Sequence, residues 1–345
     1  MIENDMRVMW CEKPNEVELR RVPIYEPAED EVLIKVAYAA ICPWDVRAFS
    51  GLSASVAFPR VLCHEVSGTV AAVGKKVNRF EIGQRVVPDM IVKCGVCPAC
   101  RRGLGNRCRH PVFQQFRGGF GDYVCLPEKN IFPIKDTTSL KAAAITEPLA
   151  CVTRAQTLFE IYPGQIELVV GAGPIGLMHM QVARAFGAQV IVSDPINERL
   201  VKAKEMGAHW VINPTETDLP AMIKDISDNW GADRIVVTVG STRLVEQTIP
   251  MLAPGGKLNI FAGIYPKDEL HIDPNIIHYG EFSITGSADS TQKDMFNALS
   301  FIESGQVKTE ELISHVFPLE ELAKGFETVK NRVGLKVIVE VNGGK

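Results

Sequence analysis

The chain has no excess of positive charge, no block of like charge and no long apolar run. Its 345 residues carry 37 Lys plus Arg against 41 Asp plus Glu, a formal net charge of −4 with a pI near 6.0. A protein that binds nucleic acid by neutralising phosphates is usually basic, so no nucleic-acid partner is expected. The apolar stretches are too short or too interrupted to span a bilayer, so no membrane partner is expected either. The opening MIENDMRVMWCEKP lacks the basic start and apolar run of a signal peptide. Internal repeats and low-complexity linkers are missing, and 46% hydrophobic with 23% charged residues matches an ordinary globular chain rather than a disordered one. The expectation is a soluble, cytoplasmic protein of about two domains, at ~150 residues each.

The nine cysteines, Cys11, Cys42, Cys63, Cys94, Cys97, Cys100, Cys108, Cys125 and Cys151, form an odd set. In a reducing compartment metal binding or catalysis outranks disulfide formation. Residues 15 to 135 read as short β-branched runs such as EVLIKVAYAA, VSGTVAAVG and QRVVPDMIV, punctuated by Gly, Pro and Asn. That pattern predicts antiparallel β structure, a barrel or a sandwich. From about residue 147 strands and helices alternate, with strand-like runs at 166–171, 189–193, 209–213, 233–239, 257–262 and 282–286. Such alternation predicts an α/β fold with a doubly wound parallel sheet. The stretch from about residue 290 reads as a helix (MFNALSFIESG), a second helix after Pro318 and a last strand, LKVIVEV, expected to return to the first domain.

Gly171-Ala172-Gly173-Pro174-Ile175-Gly176 follows an apolar strand and opens an apolar helix. Glycines there allow a tight turn and close backbone approach to a pyrophosphate at the helix N-terminus. Asp194 ends the next strand, where a carboxylate accepts hydrogen bonds from the ribose hydroxyls and repels a 2′-phosphate, favouring NAD over NADP. Arg199, one turn into the following helix, either covers the adenine or faces solvent.

Cys94-x2-Cys97-x2-Cys100-x7-Cys108 lies in a loop rich in Gly, Pro and Arg. Four thiolates at this spacing suit a closed, tetrahedral structural zinc. An iron–sulfur cluster also takes four thiolates, but the short spacing and the neighbouring Arg101, Arg102, Arg107 and Arg109 fit a small lobe, 93–109, folded around one ion.

Further motifs run in order along the chain: Cys42-Pro43-Trp44-Asp45, His64-Glu65, Gly118-Gly119-Phe120-Gly121-Asp122-Tyr123, Glu147-Pro148-Leu149 and Pro254-Gly255-Gly256. With the four-cysteine lobe and the GAGPIG turn they resemble the zinc-dependent medium-chain dehydrogenases, in the branch of sorbitol, threonine and related polyol dehydrogenases. The resemblance implies a GroES-like catalytic domain (1–147 and 288–345) split by a Rossmann NAD-binding domain (148–287), assembled as a homo-oligomer, tetramer or dimer. It also implies two zinc ions per chain, with Cys42, His64 and Glu147 as ligands of the catalytic one. A thiolate, an imidazole and a carboxylate cancel the ion's charge and leave a position open for an alcohol. Glu65 matches a spare carboxylate behind the metal, and Asp45 a residue that orients the ligating imidazole or else caps a local turn. Cys151, four residues beyond Glu147 on one helix face, is the rival ligand.

Three positions depart from the family. Trp44 stands where relatives carry a Ser or Thr that relays the substrate proton, which an indole cannot do; it either stacks on a sugar or polyol or forms a packed wall. Arg47 replaces a His and either binds an anion, in substrate or cofactor, or points to solvent. Cys63 replaces the Gly before His64, where a side chain is expected to tighten the metal loop. Cys11, Cys125 and Cys151 are expected to be buried small residues. The implied activity is hydride transfer from a secondary alcohol of a polyol, cyclitol or sugar to NAD. The alternatives are a β-hydroxy amino acid or a polyol phosphate as substrate, and, from another class, a silent NAD-binding scaffold or redox sensor.

Overall fold

The run EVLIKVAYAA forms one strand, Glu31–Ala40, whose apolar side chains are almost all buried. One edge pairs antiparallel with Glu65–Val73 along nearly its whole length. The other edge is shared: Tyr123–Pro127 covers Glu31–Lys35, and Lys336–Glu340 covers Tyr38–Ala40. The last strand of the chain thus lies beside the residues that lead into Cys42. In this computed structural model, which describes residues 4–53, 56–113 and 116–343, the sheet has seven strands. It continues through Arg85–Pro88 and Ile131–Pro133 on one side and Ile313–Pro318 on the other. Val32, Ile34, Val36, Phe120, Phe326 and Val339 anchor its core. Antiparallel structure begins earlier than the β-branched runs indicate, with Asp5–Lys13 paired to Glu16–Pro23. The charged Arg7 fits inside that strand because its guanidinium is bound by Asp122, at 2.8 Å.

The chain divides into two compact units, Met1–Ala150 with Ser290–Lys345, and Cys151–Asp289. The second holds a six-stranded, wholly parallel sheet. From edge to edge its strands are Trp210–Ile212, Gln189–Ser193, Ile166–Val170, Ala232–Val237, Leu252–Ile260 and Ser283–Gly286. Numbered along the chain this is the order 3-2-1-4-5-6 of the Rossmann fold, which places a ligand crevice at the carboxyl ends of the first and fourth strands. Leu168, Ile191, Ile235, Val237 and Leu258 form the unit's buried core. Among the described residues, no helix is long and apolar enough to cross a membrane.

Candidate metal centres and nucleotide site

Cys42 ends the link from Glu31–Ala40 and caps helix Pro43–Phe49, its Sγ accepting from the Trp44 N–H at 3.4 Å. Asp45, fully buried, completes the capping box through Oδ2, which accepts from the Cys42 N–H at 3.0 Å. Its Oδ1 accepts from the Cys63 N–H at 3.1 Å and lies 3.6 Å from His64 Nδ1. Asp45 therefore both caps the turn and braces the imidazole. Cys63 carries φ +86°, a left-handed conformation that explains why glycine suits this position. Its thiol points inward, toward the carbonyls of Glu65 and Ala40 at 3.4 and 3.6 Å.

The ligand atoms of Cys42, His64 and Glu65 all lie within 4.8 Å of one another. Glu65 sits opposite Ala40 in the sheet register and is fully buried, with no hydrogen-bond partner for Oε1. Lys336 Nζ lies 2.5 Å from Glu65 Oε2 and donates to the Ile41 carbonyl at 3.1 Å. Glu147, in the first turn of helix Thr146–Phe159, stands outside that tight trio but within its field. Burial pushes its carboxyl up to about 7, with Glu65 and Asp89 adding to the rise and His64 and Lys336 opposing it. Burial lowers the His64 pKa, but Asp45 and Cys42 outweigh it and raise the imidazole well above its ordinary value. Burial raises the Cys42 thiol, with His64 opposing. A thiol, an imidazole and a carboxyl this close together, with a second carboxyl in their field, form a donor set that a divalent cation satisfies. Lys336 was absent from the sequence reading, although a Lys opening an otherwise apolar last strand is a visible signal.

Trp44 is 37% exposed and meets His64 edge-on, ring centroids 5.6 Å apart. Arg47 gives Nη2 to the Leu52 carbonyl at 3.2 Å, just beyond the end of its own helix. Cys11 and Cys125 are buried as expected; Cys151 is only half-buried, because it lies on the helix Thr146–Phe159 at a position that is not fully covered. It belongs to neither metal-competent cluster found among the described residues.

The second such cluster is Cys94, Cys97, Cys100 and Cys108. Backbone N–H groups of Cys94 and His110 point at Cys108 Sγ and that of Cys97 at Cys94 Sγ, each at 3.4 Å. Backbone donors hold the Cys97 thiol down to about 6 and also lower Cys108, whereas burial pushes Cys100 up to about 12. Such N–H donors favour thiolates, and four crowded thiolates require a cation.

In the second unit, Gly171 is left-handed at φ +103° and a Cβ on Gly176 would lie 1.8 Å from the Gly171 carbonyl oxygen. At Gly173, by contrast, a Cβ would meet nothing within 4 Å. That open backbone caps helix Pro174–Ala185, whose first turn, opened by Pro174, presents the free N–H groups of Ile175 and Gly176 to an anion. A cavity of about 380 Å³ follows, lined by Gly171, Asp194, Pro214, Thr217, Val239 and Leu244 among others. Asp194 is fixed by the N–H groups of Ala172 and Ile196, at 2.7 and 2.9 Å. Arg199 stands beside it, Nη1 3.9 Å from Oδ2, and does not line the cavity.

Comparison with known proteins agrees with this chemistry. Two family models match, the alcohol dehydrogenase GroES-like domain over residues 28–136 and the zinc-binding dehydrogenase over residues 174–304. The chain is 31% identical over 340 residues to L-galactonate-5-dehydrogenase of Escherichia coli (strain K12), covering 97% of this chain and 98% of that protein. It is 32% identical over 354 residues to sorbitol dehydrogenase of Bacillus subtilis (strain 168), covering 99% of each. A solved alcohol dehydrogenase of E. coli CFT073, in complex with NADH, superposes with a TM-score of 0.90 at 28% identity, over 98% of this chain and 100% of that one.

Proposed function

The chain belongs to the zinc-dependent medium-chain alcohol dehydrogenases, in the branch that contains the polyol dehydrogenases, and from that premise we propose that it oxidises a secondary hydroxyl of a polyol, cyclitol or sugar to a ketone. The substrate carbon gives a hydride to NAD and its oxygen gives a proton to water. The observation that carries the reading is the convergence of Cys42 and His64 with the carboxyl of Glu65, with Glu147 within their field, where other zinc alcohol dehydrogenases use a second cysteine. Relatives named for L-galactonate and for sorbitol support the substrate class.

Cys42, His64 and Glu147 hold the catalytic zinc in this reading, and the four clustered cysteines hold the structural one. Zinc supplies Lewis acidity that lowers the pKa of the substrate hydroxyl, and NAD supplies the hydride acceptor. Asp45 fixes the ring of His64, as ligating histidines require. Lys336 holds Glu65 in reserve, and Glu147 is the carboxylate assigned to the metal in this reading. Gly171, Gly173, Pro174, Ile175 and Gly176 seat the pyrophosphate, and Asp194 meets the ribose. Trp44 offers only an indole N–H donor, so no side-chain hydroxyl at this position takes the substrate proton.

The test is NADH formation by the zinc-loaded protein over a panel of polyols, cyclitols and sugars, with metal analysis. Two zinc ions per chain and turnover of one stereochemical series are expected. Glu147→Gln should lose activity and one zinc while keeping the four-cysteine site; a fully active, two-zinc variant refutes the ligand assignment.

A further inference from the structure

Arg60 is a cation without an answer. It lies in the short strand Arg60–Val61, paired across to Cys11, four residues before His64. Its side chain is half-buried, its Nε is fully buried with no hydrogen-bond partner, and among the described residues its guanidinium makes no hydrogen bond or ion pair. The carboxylate whose field reaches it is Asp45, and both oxygens of Asp45 already accept backbone N–H groups. Its neighbour Cys11 is buried and carries no charge at neutral pH, its thiol being pushed up to about 12 by burial. What Arg60 does have is a platform: its Cζ lies 5.8 Å from the centroid of the Trp44 ring, which in turn meets His64 edge-on.

We propose that Arg60, seated on the indole of Trp44, is an anion-binding subsite next to the catalytic metal ligands, and that the substrate carries a carboxylate or phosphate on the carbon chain whose hydroxyl is oxidised. This rests on the dehydrogenase reading above and narrows its substrate class. A guanidinium presents its two Nη groups as a planar fork that matches two oxygens of either group. The cation–π contact with the ring restrains the guanidinium before the ligand arrives, and partial burial strengthens the pairing relative to water. The departure at Trp44 from the family's hydroxyl residue then has a purpose, since a Ser or Thr has no ring to carry the cation.

The experiment is calorimetric binding of matched neutral and anionic ligands to the zinc-loaded protein: sorbitol and galactitol against gluconate, galactonate and sorbitol 6-phosphate. At least tenfold tighter binding of an anionic member than of its neutral counterpart is expected, carboxylate and phosphate being told apart by which arm shows it. Arg60→Met should collapse that ratio with both zinc ions retained, and Arg60→Lys should restore part of it for phosphate and less for carboxylate. Equal binding by the wild type overturns the proposal, and so does a preference that survives Arg60→Met, which would place the anion on the metal. A loss of zinc in both variants overturns it too, by making Arg60 a counter-charge for Asp45. Turnover separates the two levels of the argument. Anion preference lost in Arg60→Met with no NADH formed from any ligand refutes the dehydrogenase reading alone, whereas NADH from neutral hexitols without anion preference refutes the subsite alone.

Discussion

Each of the two units contains a glutamate with no exposed surface, Glu65 in the first and Glu167 in the second, and their surroundings treat them in opposite ways. Glu65 faces the ammonium of Lys336 at 2.5 Å, in a cluster with Cys42 and His64. Burial alone would lower the Lys336 pKa, but Glu65, Cys42 and Glu147 outweigh it and raise it. Glu167 faces the amide of Gln156 at 2.5 Å, and that amide also touches His179 Nδ1 at 2.9 Å. The nearby Arg234 gives its donors to the carbonyls of Phe159, Glu160 and Asp233 instead. Burial therefore pushes Glu167 up to about 8 and His179 down to about 3, leaving both neutral at pH 7. A buried carboxyl given a counter-charge keeps the ability to serve a cation; one given only amides surrenders its charge and becomes part of the packing.

The sharpest way to break this contrast is Lys336→Met. Removing one partner of a buried ion pair costs about 3–5 kcal/mol, because the other charge is left uncompensated. Denaturant unfolding of the zinc-loaded protein should show a loss of that order, together with a fall in catalytic activity as Glu65 is released toward the metal. Glu65→Gln in the same chain should recover most of the stability lost, since the uncompensated charge is gone. If the two changes add instead, Lys336 and Glu65 are not a pair and the first half of the contrast fails.

Glu167→Gln probes the other half, with a smaller effect and a definite sign. Between the ordinary carboxyl value of 4.5 and the folded value of about 8, the unfolded chain has released a proton that the folded chain still holds. Stability contributed by this group is thus fully present below about pH 4.5 and is lost as pH rises toward 8, at ~1.4 kcal/mol per pH unit at most. His179 has the opposite slope: its folded value lies below its ordinary 6.5, so stability falls as pH drops from 6.5 toward 3. Glutamine still accepts from Gln156 and never ionises. Urea denaturation should therefore show the variant gaining on the order of 2–3 kcal/mol relative to wild type between pH 5 and pH 8. An unchanged slope would mean that Glu167 is ionised in the folded protein.

The same contrast explains what could be read in the sequence. The four-cysteine lobe is local, its ligands spaced by two, two and seven residues, and the nucleotide turn is equally compact, so both were legible as motifs. The strand and helix alternation identified the parallel sheet for the same reason, each element carrying its own periodicity. The candidate metal site draws on Cys42, His64, Glu65, Glu147 and Lys336, and only resemblance brought the first four together. Lys336 bonds to Ile41 across 295 positions, a pairing created by the last strand docking on Glu31–Ala40, and no periodicity encodes it. Arg60 has no sequence signal, because a single arginine in FPRVLCH has no pattern; that it has no hydrogen-bond or ion-pair partner among the described residues is visible only in three dimensions. The Gln156–Glu167–His179 network was missed likewise, since polar residues on otherwise apolar helices and strands read as isolated exceptions.

The smallest expected effect lies at the rim of the first cluster, where burial is incomplete. Trp44 is 37% exposed, so Trp44→Thr should change stability by no more than about 1 kcal/mol and leave zinc content intact. Its consequence is in selectivity. The substitution supplies the hydroxyl that relatives use to relay the substrate proton, and it removes the ring beneath Arg60. A cation–π contact at a partly exposed site contributes ~0.5–1 kcal/mol, which corresponds to roughly a two- to fivefold change in affinity. KM for anionic substrates should rise by about that factor while kcat on neutral polyols holds or improves, because a side-chain relay has been gained. Kinetics unchanged across the whole panel would show that Trp44 is a wall residue, and that the exposed edge of this site takes no part in choosing the substrate.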